Sequence, residues 1–205
     1  MKQNIGFYAI IFLSLTFFVF SCKETPKQKD INGQEIARIS GDTVFTTTGD
    51  YVVTDSIKKV YYLTRHAEKD TVPKDNPNLT DTGLQRATLL SDILRATRVD
   101  AIYSTFYTRT LYTVDSLADI KAMKILAYDP KNMRQMIDDI EANDNIKATV
   151  IVGHSNSIPS LTNTLAEKDV FTKTFDESDY DNFIIVYEKT NGNKEVLTLK
   201  YKPKG

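Results

Sequence analysis

Lys59-Val60-Tyr61-Tyr62-Leu63-Thr64-Arg65-His66-Ala67-Glu68 is the stretch from which the fold of this chain is read. Its centre is too uniformly apolar for a strand with one face in water, which predicts a central strand covered on both sides. The run then turns polar at Arg65-His66-Ala67-Glu68. The only other histidine stands in Gly153-His154-Ser155, directly after the β-branched run Ala148 to Val152. Open parallel sheets bind ligands at the ends of their strands, so both histidines occupy positions where a site is expected.

Working outward, strands and helices alternate. Asn78-Leu79-Thr80-Asp81 supplies a turn and cap before a helix with Leu84, Ala87, Leu90 and Leu94 on one face. Val99 to Tyr103 reads as the second strand. A helix with Arg109 near its start and the stripe Leu111, Val114, Leu117 and Ala118 follows it. Lys124 to Ala127 predicts a short strand, and Met133, Met136, Ile137 and Ile140 fall on one face of the next helix. After His154 come a helix through Leu165 and an irregular stretch to Asn182. Two β-rich runs follow, Phe183 to Glu188 and Val196 to Tyr201, with Asn191-Gly192 as a hairpin signal between them. This order predicts a three-layer α/β/α sandwich with a mostly parallel central sheet and an antiparallel addition at its C-terminal end. No separate lid domain is evident.

The N-terminal part has a different character. Lys2 precedes an apolar stretch from Ile5 to Phe20, shorter than the ~20 residues a spanning helix needs, which reads as a signal peptide over residues 1–21. Val19-Phe20-Ser21-Cys22 resembles the lipobox of bacterial lipoproteins, with Cys22, the only cysteine of the chain, as the lipidated residue. That implies a lipid-anchored location at a bacterial cell envelope, on the periplasmic side or the cell surface. An odd cysteine in an exported protein calls for such an explanation. Residues 22–40 are rich in Lys, Gln, Glu and Asp and read as a tether, leaving residues 41–205 as one folded domain. Thr43 to Val53, dense in Thr, Val, Tyr and Phe, suggests a short hairpin or edge strand before the main fold. With 26 Lys+Arg against 27 Asp+Glu, net charge gives no support to a nucleic-acid partner.

Leu63-Thr64-Arg65-His66-Ala67-Glu68, Leu79-Thr80-Asp81-Thr82-Gly83, Ile102-Tyr103-Ser104, Arg109 with Thr113, and Val152-Gly153-His154-Ser155 occur in that order. Together they resemble the histidine phosphatase superfamily, to which the phosphoglycerate mutases belong, in its small branch without a cap. The family carries Arg-His-Gly after its first strand, a second arginine after its second strand, and a later Gly-His. The likeness runs from Val60 to about Leu161. Ala67 departs from it by standing where the family has glycine, and its methyl group there could crowd the backbone beside the phosphate.

The resemblance implies catalysis by His66, His154, Arg65 and Arg109, all four binding the phosphoryl group, with His66 as nucleophile. A neutral imidazole can attack phosphorus and carry the group as phosphohistidine. Its other ring nitrogen is expected to donate to a backbone carbonyl. Guanidinium groups suit phosphate oxygens because they present paired donors and stay charged. His154 would add a donor to the oxygens as charge accumulates on them. Glu68 is a further catalytic candidate. The acid that protonates the leaving oxygen stays open among Glu68, Asp129, Asp138 and Asp139. Ser104, Ser155 and Asn156 read as helix caps, and Phe106, Tyr107 and Tyr112 as loop anchors or pocket lining.

The expected activity is that of a metal-independent phosphatase, acting as a phosphomonoesterase or a phosphohistidine phosphatase on a phosphorylated small molecule or a phosphoprotein. A phosphoglycerate-mutase-type transferase and a non-catalytic anion-binding lipoprotein are the alternatives. Two distant histidines without companion cysteines lack zinc-ligand spacing, and no organic cofactor motif is present.

Overall fold

The structure, a computed structural model, describes residues 30–53 and 56–203. The expected signal peptide and Cys22, the residue expected to carry a lipid, lie outside these residues.

A six-stranded sheet forms the centre of the molecule. It is built from β4 (Ile57–Arg65), β5 (Ala101–Ser104), β6 (Ile125–Ala127), β7 (Ala148–Gly153), β8 (Asn182–Lys189) and β9 (Lys194–Lys200). Before it come β1 (Ile36–Ser40), β2 (Thr43–Thr46) and β3 (Asp50–Val52), which make a small antiparallel sheet of their own. The large sheet runs β6-β5-β7-β4-β8-β9. Its first four strands are parallel to one another, and β8 and β9 are antiparallel additions. The three-layer reading with a mostly parallel sheet therefore holds, and the Asn191-Gly192 hairpin closes as expected.

Alternation along the strands feeds two cores, one on each face. Tyr62, Ile102, Val150, Val152, Phe183 and Ile185 face α1 (Asp81–Leu94) and α2 (Thr108–Lys121). Tyr61, Leu63, Ile151, Ile184 and Val186 face α3 (Met133–Ala142) and α4 (Ser157–Ala166). Lys59 is a charge within the central strand, buried under α3. Its Nζ donates to the carbonyls of Ile140, Asn143 and Ile146 at 2.8, 3.0 and 2.8 Å, the first two at the open C-terminal end of that helix and the third in the turn before β7.

Two expectations need correction. The tether read up to Ser40 ends earlier, because strand β1 begins at Ile36 and Ile31, Ile36 and Ile39 are buried in the same core as Leu90, Ile93 and Leu94 of α1. Scattered isoleucines in a polar segment hide such a strand until a helix is there to cover it. On α1, Leu84 is exposed while Gly83, Ala87, Leu90, Ile93 and Leu94 are buried. The helix comes so close to the preceding loop that a β-carbon at Gly83 would collide with the Glu68 carbonyl oxygen. The glycine is needed for this approach, and Leu84 is turned outward by it.

Candidate active site

Parallel register places the two histidine motifs side by side. Arg65 is paired with Gly153, and the His66 N–H continues the ladder by donating to the Gly153 carbonyl at 2.9 Å. The imidazoles that follow meet edge to face with ring centroids 5.5 Å apart. Gly153 is confined as well, since a β-carbon there would lie 2.7 Å from both Ser157 Oγ and the Tyr128 hydroxyl. His66, Arg109 and His154 line one cavity of about 710 Å³ with Lys69, Tyr107, Lys131, Ser155 and Glu177 among the remaining walls.

His66 is 3% exposed. Its Nδ1 lies 2.8 Å from the carbonyl oxygen of Ala67; because a carbonyl only accepts, Nδ1 carries the proton and Nε2 keeps its lone pair. Burial above all, together with the charges of Arg65 and Arg109, holds the ring down to about 3, although the Ala67 bond opposes the shift. The ring is neutral at neutral pH, as a nucleophile must be. Ala67 is itself fixed, since its N–H donates to Thr113 Oγ1 at 2.8 Å and that hydroxyl donates to the Arg109 carbonyl at 2.7 Å. One buried threonine of α2 thus holds the backbone of Ala67, the residue whose carbonyl orients His66. The Ala67 methyl packs against Leu79 and Ala87, in a small apolar cluster, so the departure from glycine is absorbed there.

His154 is set by its own shell. Nε2 lies 3.0 Å from Thr105 Oγ1, and the His154 N–H donates to Ser157 Oγ at 2.9 Å. Among the described residues Nδ1 has no protein partner. Burial, then Arg109 and Arg65, hold this ring down to about 4. Tyr107 stands edge-on to it at 5.3 Å while offering its face to the Arg109 guanidinium at 4.2 Å.

Arg65 is buried, with its guanidinium over Tyr180 at 4.2 Å. Nη1 donates to the carbonyls of Asp176, Glu177 and Asp179, and Nη2 to Glu177 Oε2 at 2.8 Å. Nε of Arg65 and Nε of Arg109 are buried donors with no partner among the described residues. Such donors are costly to leave empty, and here both belong to guanidinium groups beside the imidazole pair.

The remaining expected residues fall elsewhere. Glu68 does not line the cavity: its carboxylate takes two bonds from Arg86, at 2.9 and 2.7 Å, and Arg86 also bonds Asp181 and the Tyr201 carbonyl. Asp129 accepts from its own loop at the Lys131 N–H, Asp138 pairs with Arg134, and Asp139 accepts from Gln135. Ser104 donates to the Thr105 carbonyl, and Ser155 to Glu177, so neither caps a helix. Asn156 occupies the N-cap position of α4 without a side-chain bond there. Of the aromatic trio only Tyr107 lines the cavity, and Phe106 and Tyr112 are exposed.

Sequence reading missed Thr105, Glu177 and Tyr180. The last two lie in the connection between α4 and β8, which has no regular structure of its own. A connection of that length was the available signal, since loops beyond about 12–15 residues are uncommon and usually functional.

The model of the histidine phosphatase superfamily (branch 1) matches residues 61–129, a span that holds Arg65, His66 and Arg109 and stops before His154. No curated protein matches the chain. Among solved structures, the protein histidine phosphatase SixA in complex with tungstate is similar with a TM-score of 0.54 at 14% identity, over 70% of this chain and 97% of that one. Mycobacterial glucosyl-3-phosphoglycerate phosphatase has a TM-score of 0.55 at 8% identity, over 70% and 99%. YhfR of Bacillus stearothermophilus has 0.53 at 16%, over 68% and 96%. At these identities the likeness is one of fold.

Proposed function

We propose that this chain, whose residues 61–129 match the model of the histidine phosphatase superfamily (branch 1), is a phosphatase that works without a metal, as a phosphomonoesterase or phosphohistidine phosphatase, through a phosphohistidine on His66. The observation that carries this reading is the neutral His66 ring, its proton committed to Ala67 and its Nε2 beside two guanidinium groups whose buried Nε donors have no partner among the described residues.

In this reading Nε2 attacks phosphorus in line, and the bond to the leaving group breaks. The phosphorylated ring is cationic, and the Ala67 carbonyl that receives Nδ1–H stabilises it. Arg109 and Arg65 take the equatorial oxygens, where electrostatic stabilisation does most in phosphoryl transfer. In the tautomer that accepts from the Thr105 hydroxyl at Nε2, His154 offers Nδ1–H as a further donor to the same oxygens. Water then cleaves the P–N bond and releases inorganic phosphate. Two imidazoles among arginines and lysines, with one carboxylate already bonded, make a donor set that repels a cation and attracts an oxyanion. The tungstate bound by SixA is an oxyanion of that kind. The expected lipidation of Cys22 would place this activity at a bacterial cell envelope, anchored to its membrane.

The test is turnover of para-nitrophenyl phosphate by the full-length chain in EDTA, compared with His66→Ala, with acid-labile phosphoenzyme trapped during turnover. Turnover and phosphoenzyme in the wild type, both lost in the variant, are expected. Turnover that survives the substitution, or that EDTA abolishes, overturns the reading.

A further inference from the structure

The cavity contains a carboxylate that the reaction described above leaves without work. Glu177 is the only carboxylate that lines it among the described residues. Its Oε1 accepts from Ser155 Oγ at 2.7 Å and its Oε2 from Arg65 Nη2 at 2.8 Å. The side chain is otherwise open, 78% exposed, so it can shift with a ligand without disturbing packing. The charged and titratable groups whose fields reach it are Arg65, Lys69, Arg109 and His154, and all but the buried Arg65 line the same cavity.

We propose that Glu177 is the general acid and base of the reaction, and that it equips the site for phosphate monoesters of alcohols as well as for esters and amidates whose leaving groups depart without help. This rests on the phosphatase reading above.

The argument is one of competition for Arg65. In the free protein Glu177 is held ionised, below the usual carboxylate range, first by the Ser155 bond and then by Arg65. An arriving phosphoryl dianion competes for the Nη2–H that Glu177 now holds, and adds a like charge beside it. Both changes favour the protonated carboxyl, so a proton from solvent is taken up with the substrate. As the Nε2–P bond forms and the P–O ester bond breaks, the electron pair leaves on the ester oxygen, which takes the proton from Glu177, and the alcohol departs. In the second step the Glu177 carboxylate receives a proton from the attacking water. The new P–O bond forms, the P–N bond breaks, and its electron pair returns to Nε2. Inorganic phosphate leaves, and Glu177, again bonded to Arg65, returns its proton to solvent until the next ester arrives. An alkoxide is too basic to depart unprotonated near neutral pH, whereas a nitrophenolate leaves on its own.

The experiment measures kcat/KM of the full-length wild type and Glu177→Gln on para-nitrophenyl phosphate and on glycerol phosphate. This parameter reports the steps up to loss of the alcohol, so the later hydrolysis does not blur the comparison. The variant is expected to lose about 100-fold or more on glycerol phosphate and less than about threefold on the nitrophenyl ester. Glutamine keeps an oxygen for Ser155 or Arg65, so a merely structural role would spare both esters or weaken both alike. Equal losses, or no loss on either, overturn the proposal while leaving the phosphohistidine reading intact. Failure of His66→Ala to abolish nitrophenyl turnover overturns that reading, and the proposal with it.

Discussion

Thr113→Val separates the orientation of the nucleophile from its chemistry. The threonine is fully buried, and its hydroxyl both accepts from Ala67 N–H at 2.8 Å and donates to the Arg109 carbonyl at 2.7 Å. Valine has nearly the same shape, so the substitution opens no cavity and keeps the helix. It does leave the Ala67 N–H as a buried donor with no partner, a cost of about 1–3 kcal/mol, part of which the extra buried methyl offsets. A net loss of about 1–2 kcal/mol corresponds to a Tm lower by roughly 2–8 °C for a domain of this size. The larger effect falls on rate. The N–H released belongs to Ala67, the residue whose own carbonyl, one peptide further on, receives His66 Nδ1–H at 2.8 Å, so Nε2 loses both its aim and its fixed tautomer, and kcat on para-nitrophenyl phosphate should fall by about 10- to 100-fold. Thermal denaturation and steady-state turnover measured on the same preparation test this. A variant with the expected drop in Tm and undiminished kcat would refute the idea that Thr113 orients His66 through Ala67.

Other outcomes follow from the same geometry. The folded values of about 3 for His66 and about 4 for His154 lie below the ordinary imidazole value, so the unfolded chain binds protons first. Stability is therefore full above about pH 6.5 and is lost as pH falls toward the folded values, by about 1.4 kcal/mol per pH unit for each ring. Urea denaturation at several pH values should show this slope, and His66→Asn should reduce it. An unchanged slope would mean that the ring is not buried neutral. Arg86 is buried between Glu68 and Asp181, so Arg86→Met leaves two carboxylates without their shared cation and should cost about 3 kcal/mol or more in chemical denaturation. Glu68→Gln should weaken the fold without an order-of-magnitude loss of kcat. Abolished turnover at full stability would make Glu68 a proton-transfer group after all.

The parallel sheet, its order of elements and the two histidine motifs were legible because each depends on local pattern. Apolar runs mark strands buried on both faces, Asn191-Gly192 marks a hairpin, and an arginine and a histidine at a strand end mark a place for an anion. Strand β1 was not legible, because Ile31, Ile36 and Ile39 become a buried face only when α1 covers them. Glu68 could not be judged either: beside His66 in sequence, it is drawn away by Arg86 from the next helix.

What the sequence by itself determined is the chemistry on offer: an imidazole to attack, a second one to assist, and guanidinium groups to hold oxyanions. The tertiary structure decided which groups share a cavity and in what state. Register between β4 and β7 sets the imidazoles edge to face, a threonine from α2 holds Ala67, whose carbonyl sets the tautomer of His66, and the connection after α4 delivers Glu177 to Arg65. These partners are separated by 46 to 112 positions along the chain. A contact between them has no local signature, because it arises from the packing of whole elements and not from the preferences of the residues between them.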